Sequence, residues 1–216
     1  MQEFIYVTGM VLKQSAIGEY DRRLCILTKE RGKISAFAKG ARKPGSRLAA
    51  AACPFAFGNF KLYEGKNSYT VAEADIQNYF EALRSDFEGA YYGMYFAEIA
   101  DYYTRENNDE REMLKLMYQS LRALSAASLD RRLVRAIVEI KAVGINGEFP
   151  GIPQDREYLP STLYAVDFIL SSRIEKLYTF TVKEEVLQEL IHLGNYYRKE
   201  LMDKEFKSLE ILQTLC

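Results

Sequence analysis

Apolar positions recur along this chain with two different periods. Up to about residue 76 they alternate with polar ones in short runs, broken by Gly, Pro and Asn, as half-buried strands do. Phe4 to Gln14 is a long β-prone run, and Ser15 to Asp21, with Gly18, reads as a loop. Arg22 to Thr28 sets Leu24 and Ile26 on one face and Cys25 and Leu27 on the other. Glu30-Arg31-Gly32 is a tight turn into a third strand, Lys33 to Lys39. Pro54 to Tyr63 and Ser68 to Ile76 are a fourth and fifth strand, joined by a turn over Glu64, Gly65, Lys66 and Asn67. Five short strands in this length predict a small closed antiparallel barrel.

From about Tyr79 the period becomes helical. Ser85 and Glu88 have capping-box spacing and open a helix to about Thr104; Asp109 and Glu112 suggest a second box. Met113, Leu116, Met117, Leu121 and Leu124 give that next helix one apolar face. A third helix runs from Leu129 to Val143, stopped by Gly144. Residues 144–160 read as a loop. Ser161 to Arg173, Thr181 to about Met202 and Ser208 to Leu215 complete the helical part. The fold class is therefore α+β, with a barrel followed by an all-α region and a boundary near residues 77–84. No internal repeat or low-complexity tract appears.

Length and composition add two points. The 216 residues are 48% hydrophobic, enough for a core without disulfides or metals. The net charge of −1 hides an asymmetry: residues 1–63 hold eleven Lys/Arg and four Asp/Glu, net +7, and the rest is net −8. A polyanion senses the local field, so the basic module is the one to inspect. Cys25, Cys53 and Cys216 have no metal-ligand spacing and read as reduced thiols of a cytosolic protein. The N-terminus has no basic stretch followed by an apolar run, so no signal peptide is expected. No apolar stretch is long enough for a membrane span.

The basic residues are densest between Lys29 and Arg47, with seven Lys/Arg against Glu30 alone. Gly40 to Arg47 resembles a P-loop, but Ser46 stands where the phosphate-binding Lys would be and Arg47 where the hydroxyl would be. Pro44 also removes a backbone donor. Nucleotide hydrolysis is excluded there. The loop suits a nucleic-acid backbone, whose phosphates long basic side chains neutralise; a solvated, solubilising rim is the alternative. Phe55, Phe57, Phe60, Tyr63 and Tyr69, with Phe37 and Tyr20, either stack on bases or fill the barrel. Phe55 and Phe57 share one strand parity and Phe60 the other.

Nothing assembles a nucleophile–base pair. His192, the only histidine, lies mid-helix, and Glu98, Asp101, Glu184 and Glu185 read as solvated or capping carboxylates. No enzyme activity and no cofactor are expected. Arg131, Arg132 and Arg135 form a second basic group beside Leu133 and Ile137. It fits either an acidic, aromatic-ended peptide tail or a solvated face paired with acidic helices.

Val11 to Asp21 and Leu27 to Arg47 closely resemble the N-terminal module of the bacterial RecO family. The likeness continues through Leu62-Tyr63-Glu64-Gly65 and Leu83-Arg84-Ser85-Asp86 and resumes at Lys207-Ser208-Leu209. The resemblance implies an oligonucleotide-binding (OB) barrel over 1–80 and a helical domain over 81–216. It implies a recombination mediator of the RecF pathway, a DNA repair protein that binds single- and double-stranded DNA and anneals complementary strands. It also implies contact with the single-stranded DNA-binding protein (SSB) and loading of RecA together with RecR, in the bacterial cytoplasm at the nucleoid. On this reading DNA is held by Arg22, Arg23, Lys33, Lys39, Arg42, Lys43 and Arg47. The SSB tail falls to Arg132 and Arg135. Many members carry a four-cysteine zinc module in the helical domain. Here the corresponding stretch, Glu148 to Tyr164, has no cysteine, so no structural zinc is expected. Packing of Phe149, Ile152, Tyr158 and Leu159 must hold that loop instead.

Overall fold

The computed structural model describes residues 4–66, 68–154 and 156–215, without the side chain of Leu215. Asn67 and Cys216 therefore lie outside the described residues. Five strands form the first part: β1 Phe4–Ile17, β2 Asp21–Thr28, β3 Gly32–Ala38, β4 Phe57–Glu64 and β5 Tyr69–Asn78. They close into a barrel in the order β1-β2-β3-β5-β4. Four pairings are antiparallel; the seam is a short parallel one, Ala36 against Tyr69 and Phe37 against Thr70.

Strand parity builds the core. Val7, Val11, Leu24, Ile26, Ile34, Ala36, Phe60, Leu62, Tyr69 and Val71 all turn inward. Phe60 and Tyr69 are thus barrel filling. Phe55 is buried as well, but not as part of a strand. Its φ of 70° lies in the left-handed region, and its N–H donates to Val11 O at 2.8 Å. The chain turns there, so β4 starts at Phe57 and the expected shared face of Phe55 and Phe57 does not exist. At the other end of the first hairpin, β1 outlasts its expected end at Gln14. Ser15, Ala16 and Ile17 pair with Arg23, Arg22 and Asp21. All of 13–17 is exposed, so no apolar alternation announced the extension.

The helical part comprises α1 Glu81–Arg84, α2 Phe87–Tyr103, α3 Arg111–Leu124, α4 Arg131–Ile145, α5 Pro160–Ser171, a short 3-10 turn Ile174–Lys176, α6 Glu184–Leu201 and α7 Lys207–Leu215. Its caps differ from the expected boxes. Asp86, not Ser85, accepts the Gly89 N–H at 3.0 Å, while the Ser85 hydroxyl turns back to Ala82 O. At α6 Lys183 holds the N-cap position without a side-chain bond. Gly144 does not stop α4. It lies inside it, where a Cβ would come within 2.7 Å of Leu170 Cδ2 of α5. Its job is close packing, and Asn146 ends the helix.

The chain forms two compact units. The first joins the barrel, through Glu81, to Thr104–Leu114, the α2–α3 connector and the first turn of α3; the second holds Ala82–Tyr103 and the chain from Lys115 on. The connector bonds to the β2–β3 turn. Lys33 N–H donates to Arg105 O, Asn107 N–H to Arg31 O, and the Tyr69 hydroxyl to Glu106 Oε1. Gly32, at φ 64°, permits this contact, since a Cβ there would sit 2.3 Å from Arg105 O.

In the second unit the loop after α4 is tied to α6. The Phe149 ring packs edge-on to Tyr197, whose hydroxyl donates to Gly151 O at 3.0 Å, and Tyr158 is buried beside His192. Ile152 is half-buried. Leu159 departs from expectation: its side chain is exposed, and its contribution is its N–H, donated to Glu189 Oε2.

Candidate nucleic-acid interface

The end of the barrel where β1 meets β2 and β3 leaves for β4 is built from two segments. One is the hairpin tip Gly18-Glu19-Tyr20. The other is the long connection from Lys39 to Ala56. They are clamped to each other: Arg42 N–H donates to Tyr20 O at 2.9 Å, the Arg42 guanidinium to Gly18 O at 3.1 Å, and Gly40 N–H to Asp21 Oδ1 at 2.7 Å. Lys43 Nζ lies 5.3 Å from the Tyr20 ring centroid.

Within the connection, Ala41, Lys43, Ser46 and Ala49 donate their N–H groups to carbonyls three residues back. Those donors are therefore spent on turns and form no anion nest, which agrees with excluding a P-loop. What this end offers an anion is therefore its side chains. Lys39, Arg42, Lys43 and Arg47 are all exposed. Among the described residues the side chains of Lys39 and Arg47 have no hydrogen-bond or ion-pair partner.

The remaining three cations divide. Arg23 is exposed on the outer face of β2, opposite Phe37, and its Nε donates to Ser35 Oγ at 2.8 Å. Lys33 shares the outward parity of Phe37 but starts β3. At about 3.3 Å per residue it is about 20 Å from Lys39, beside the connector. Arg22 has the inward parity of Leu24 and Ile26. It is half-buried, and its Nη1 points to Ala52 O at 3.4 Å and Cys53 Sγ at 3.8 Å. It fastens the far end of the connection to β2. Arg23 on β2 and Lys39, Arg42, Lys43 and Arg47 on the connection are thus the exposed cations of the predicted set; Lys33 and Arg22 are half-buried. The sequence reading missed the clamping role of Asp21 and the tip. The signal was the Gly-x-Tyr-Asp order at a hairpin turn. Glu30, the lone acid of the basic run, is structural: its Oε2 accepts from Thr8 N–H at 2.8 Å.

The other side of the barrel differs. Outward positions of β1, β4 and β5 carry Phe4, Tyr6, Asn59, Lys61, Tyr63, Glu73 and Asp75. Phe4 stacks on Tyr63 at 4.2 Å, Lys61 Nζ lies 4.3 Å from the Phe4 ring centroid and pairs with Glu73, and Tyr6 is 68% exposed.

The arginines of α4 are already partnered. Arg131 pairs with Asp86 and Glu88. Arg132 pairs with Asp130 at 2.7 Å and Glu184 at 3.0 Å. Hydrogen bonding to Arg132 holds the Asp130 carboxyl below its ordinary range; Glu184 is lowered by Gln188 and then by Arg132. Arg135 is 13% exposed and bonds Glu139, itself 1% exposed, and Asn195. An acidic tail would have to displace these partners. Among the described residues no group of three or more His, Cys, Asp and Glu is placed to hold a metal ion. None of their helices is long and apolar enough to cross a membrane.

Comparison with known proteins agrees with this architecture. Residues 1–80 match the model for the recombination protein O N terminus, and residues 84–155 that for its C terminus. The chain is similar to a DNA repair protein RecO of Acetivibrio thermocellus, with 28% identity covering 98% of this chain and 97% of the relative. It is also similar to those of Alkaliphilus metalliredigens (32%, covering 68% and 59%) and Bacillus subtilis (31%, covering 66% and 55%). Barrel, helical region, the two family matches over residues 1–80 and 84–155, and relatives similar over most of the chain lead to one assignment: this chain belongs to the RecO family of DNA repair proteins.

Proposed function

We propose that this protein binds single- and double-stranded DNA at the β1–β2 tip end of its barrel and anneals complementary strands, with no chemistry on the DNA. The observation that carries the reading is the set of exposed cations, Arg23 on β2 and Lys39, Arg42, Lys43 and Arg47 on a connection clamped to the β1–β2 tip. OB barrels engage oligonucleotides with the β2–β3 face and the β1–β2 loop. Neutralised phosphates repel each other less, so two strands held near this surface pair faster. Family membership supports the wider role: a mediator of the RecF pathway in the bacterial cytoplasm, at the nucleoid, that acts on SSB-coated DNA and works with RecR to load RecA. The test is annealing of labelled complementary oligonucleotides, bare and SSB-coated. Acceleration by the wild type, lost in the Lys39→Glu/Arg42→Glu/Lys43→Glu variant, supports the reading; equal rates with and without protein refute it.

A second reading, a scaffold acting through protein contacts with DNA incidental, draws on the Phe4–Tyr6–Tyr63 surface. Exposed aromatics of this kind anchor protein interfaces. It requires annealing to survive the triple reversal and to fail in Tyr6→Asp.

A further inference from the structure

We infer that Tyr20 is a base-stacking platform that makes this end of the barrel favour single-stranded over duplex DNA. The inference rests on the DNA-binding reading above and adds a residue and a specificity to it.

The ring stands at the hairpin tip, 42% exposed, although a tyrosine at a loop end gains little from burial there. It is nonetheless held. Its own carbonyl accepts from Arg42 N–H, Gly18 O accepts from the Arg42 guanidinium, and the next residue, Asp21, accepts from Gly40 N–H. Two bonds on the three-residue tip and a third on the residue after it fix the backbone that carries the ring before a ligand arrives, so less ordering entropy remains to oppose stacking. Lys43 lies against the ring, which puts a cation within one nucleotide's reach of a base stacked on the exposed surface. Lys39, Arg42, Lys43 and Arg47 meet phosphates, which both forms of DNA present. Tyr20 meets a base face, which a duplex hides inside its stack. The cations therefore supply affinity, and the ring supplies the difference between the forms.

The experiment measures anisotropy of a labelled oligo(dT) and of a duplex of equal length with the wild type, Tyr20→Ala and Tyr20→Phe. Loss of one stacked base predicts roughly tenfold weaker single-strand binding by Tyr20→Ala and a change under about twofold on the duplex. Tyr20→Phe keeps single-strand affinity. Equal losses on both forms would make Tyr20 a prop for the loop, and no loss on either would remove it from the site; each overturns the inference. Failure of the wild type to bind either DNA overturns the DNA-binding reading and the inference with it, which separates the two failures.

Discussion

On β2 and β3 the outward positions hold Arg23, Lys33, Ser35 and Phe37; on β4 and β5 they hold Asn59, Lys61, Tyr63, Glu73 and Asp75. Both sets stand on the same apolar interior, with Phe60 and Leu62 behind one and Ile34 and Ala36 behind the other. A closed barrel fixes which residues point in. It leaves the other half of each strand free to vary, so one side gathers cations beside a long basic connection while the other becomes aromatic and acidic. The module's excess of +7 is therefore not spread evenly. A polyanion meets a favourable field on one side and carboxylates on the other.

Four changes test that division. The largest effect removes the support common to both sides: Phe60→Ala leaves a cavity at the barrel centre and costs about 3–5 kcal/mol, read by thermal melting, with DNA binding lost as the barrel opens. Next comes Arg22→Ala. If Arg22 is an anchor and not a DNA ligand, it lowers stability by about 1.5–3 kcal/mol, the worth of hydrogen bonds to a charged group, and leaves the salt dependence of residual binding unchanged. Arg47→Ala does the reverse: the melt is unchanged, and the slope of log K against log salt becomes shallower by about 0.7–0.9. The smallest effect is expected from a chelator, which leaves the melting temperature of this cysteine-poor member where it was; stoichiometric zinc in elemental analysis contradicts that expectation.

Much of the division was written in the chain. The alternation of Leu24 with Ile26 and of Ile34 with Ala36 announces two strands and their inner faces. The same parity puts Arg22 with Leu24, a clue that its side chain turns toward the barrel. Arg135 and Glu139, four apart on one helix, were likewise readable as a pair. Other features depend on contacts that no local pattern encodes. β1 reaches Ile17 only because it has a partner strand, with both of its faces in solvent. Phe55 is a strand former by composition, yet it adopts a left-handed turn where the connection returns to Val11. Gly144 looks like a helix stop and serves as a packing gap for Leu170. The connector around Arg105 and Glu106 bonds to a turn more than seventy residues away in sequence, and Lys33 lies at that end of β3, away from Lys39.

The central claim, that DNA is gripped by one side of the barrel and not the other, is tested most directly by two charge reversals in one titration. The triple variant Lys39→Glu/Arg42→Glu/Lys43→Glu and the double variant Glu73→Lys/Asp75→Lys are each titrated against one labelled oligonucleotide at fixed salt, with circular dichroism to verify folding. The account predicts that the folded triple variant loses binding by about a hundredfold or more, as three lost phosphate contacts require, while the double variant binds at least as well as the wild type. A folded triple variant with wild-type affinity would contradict it.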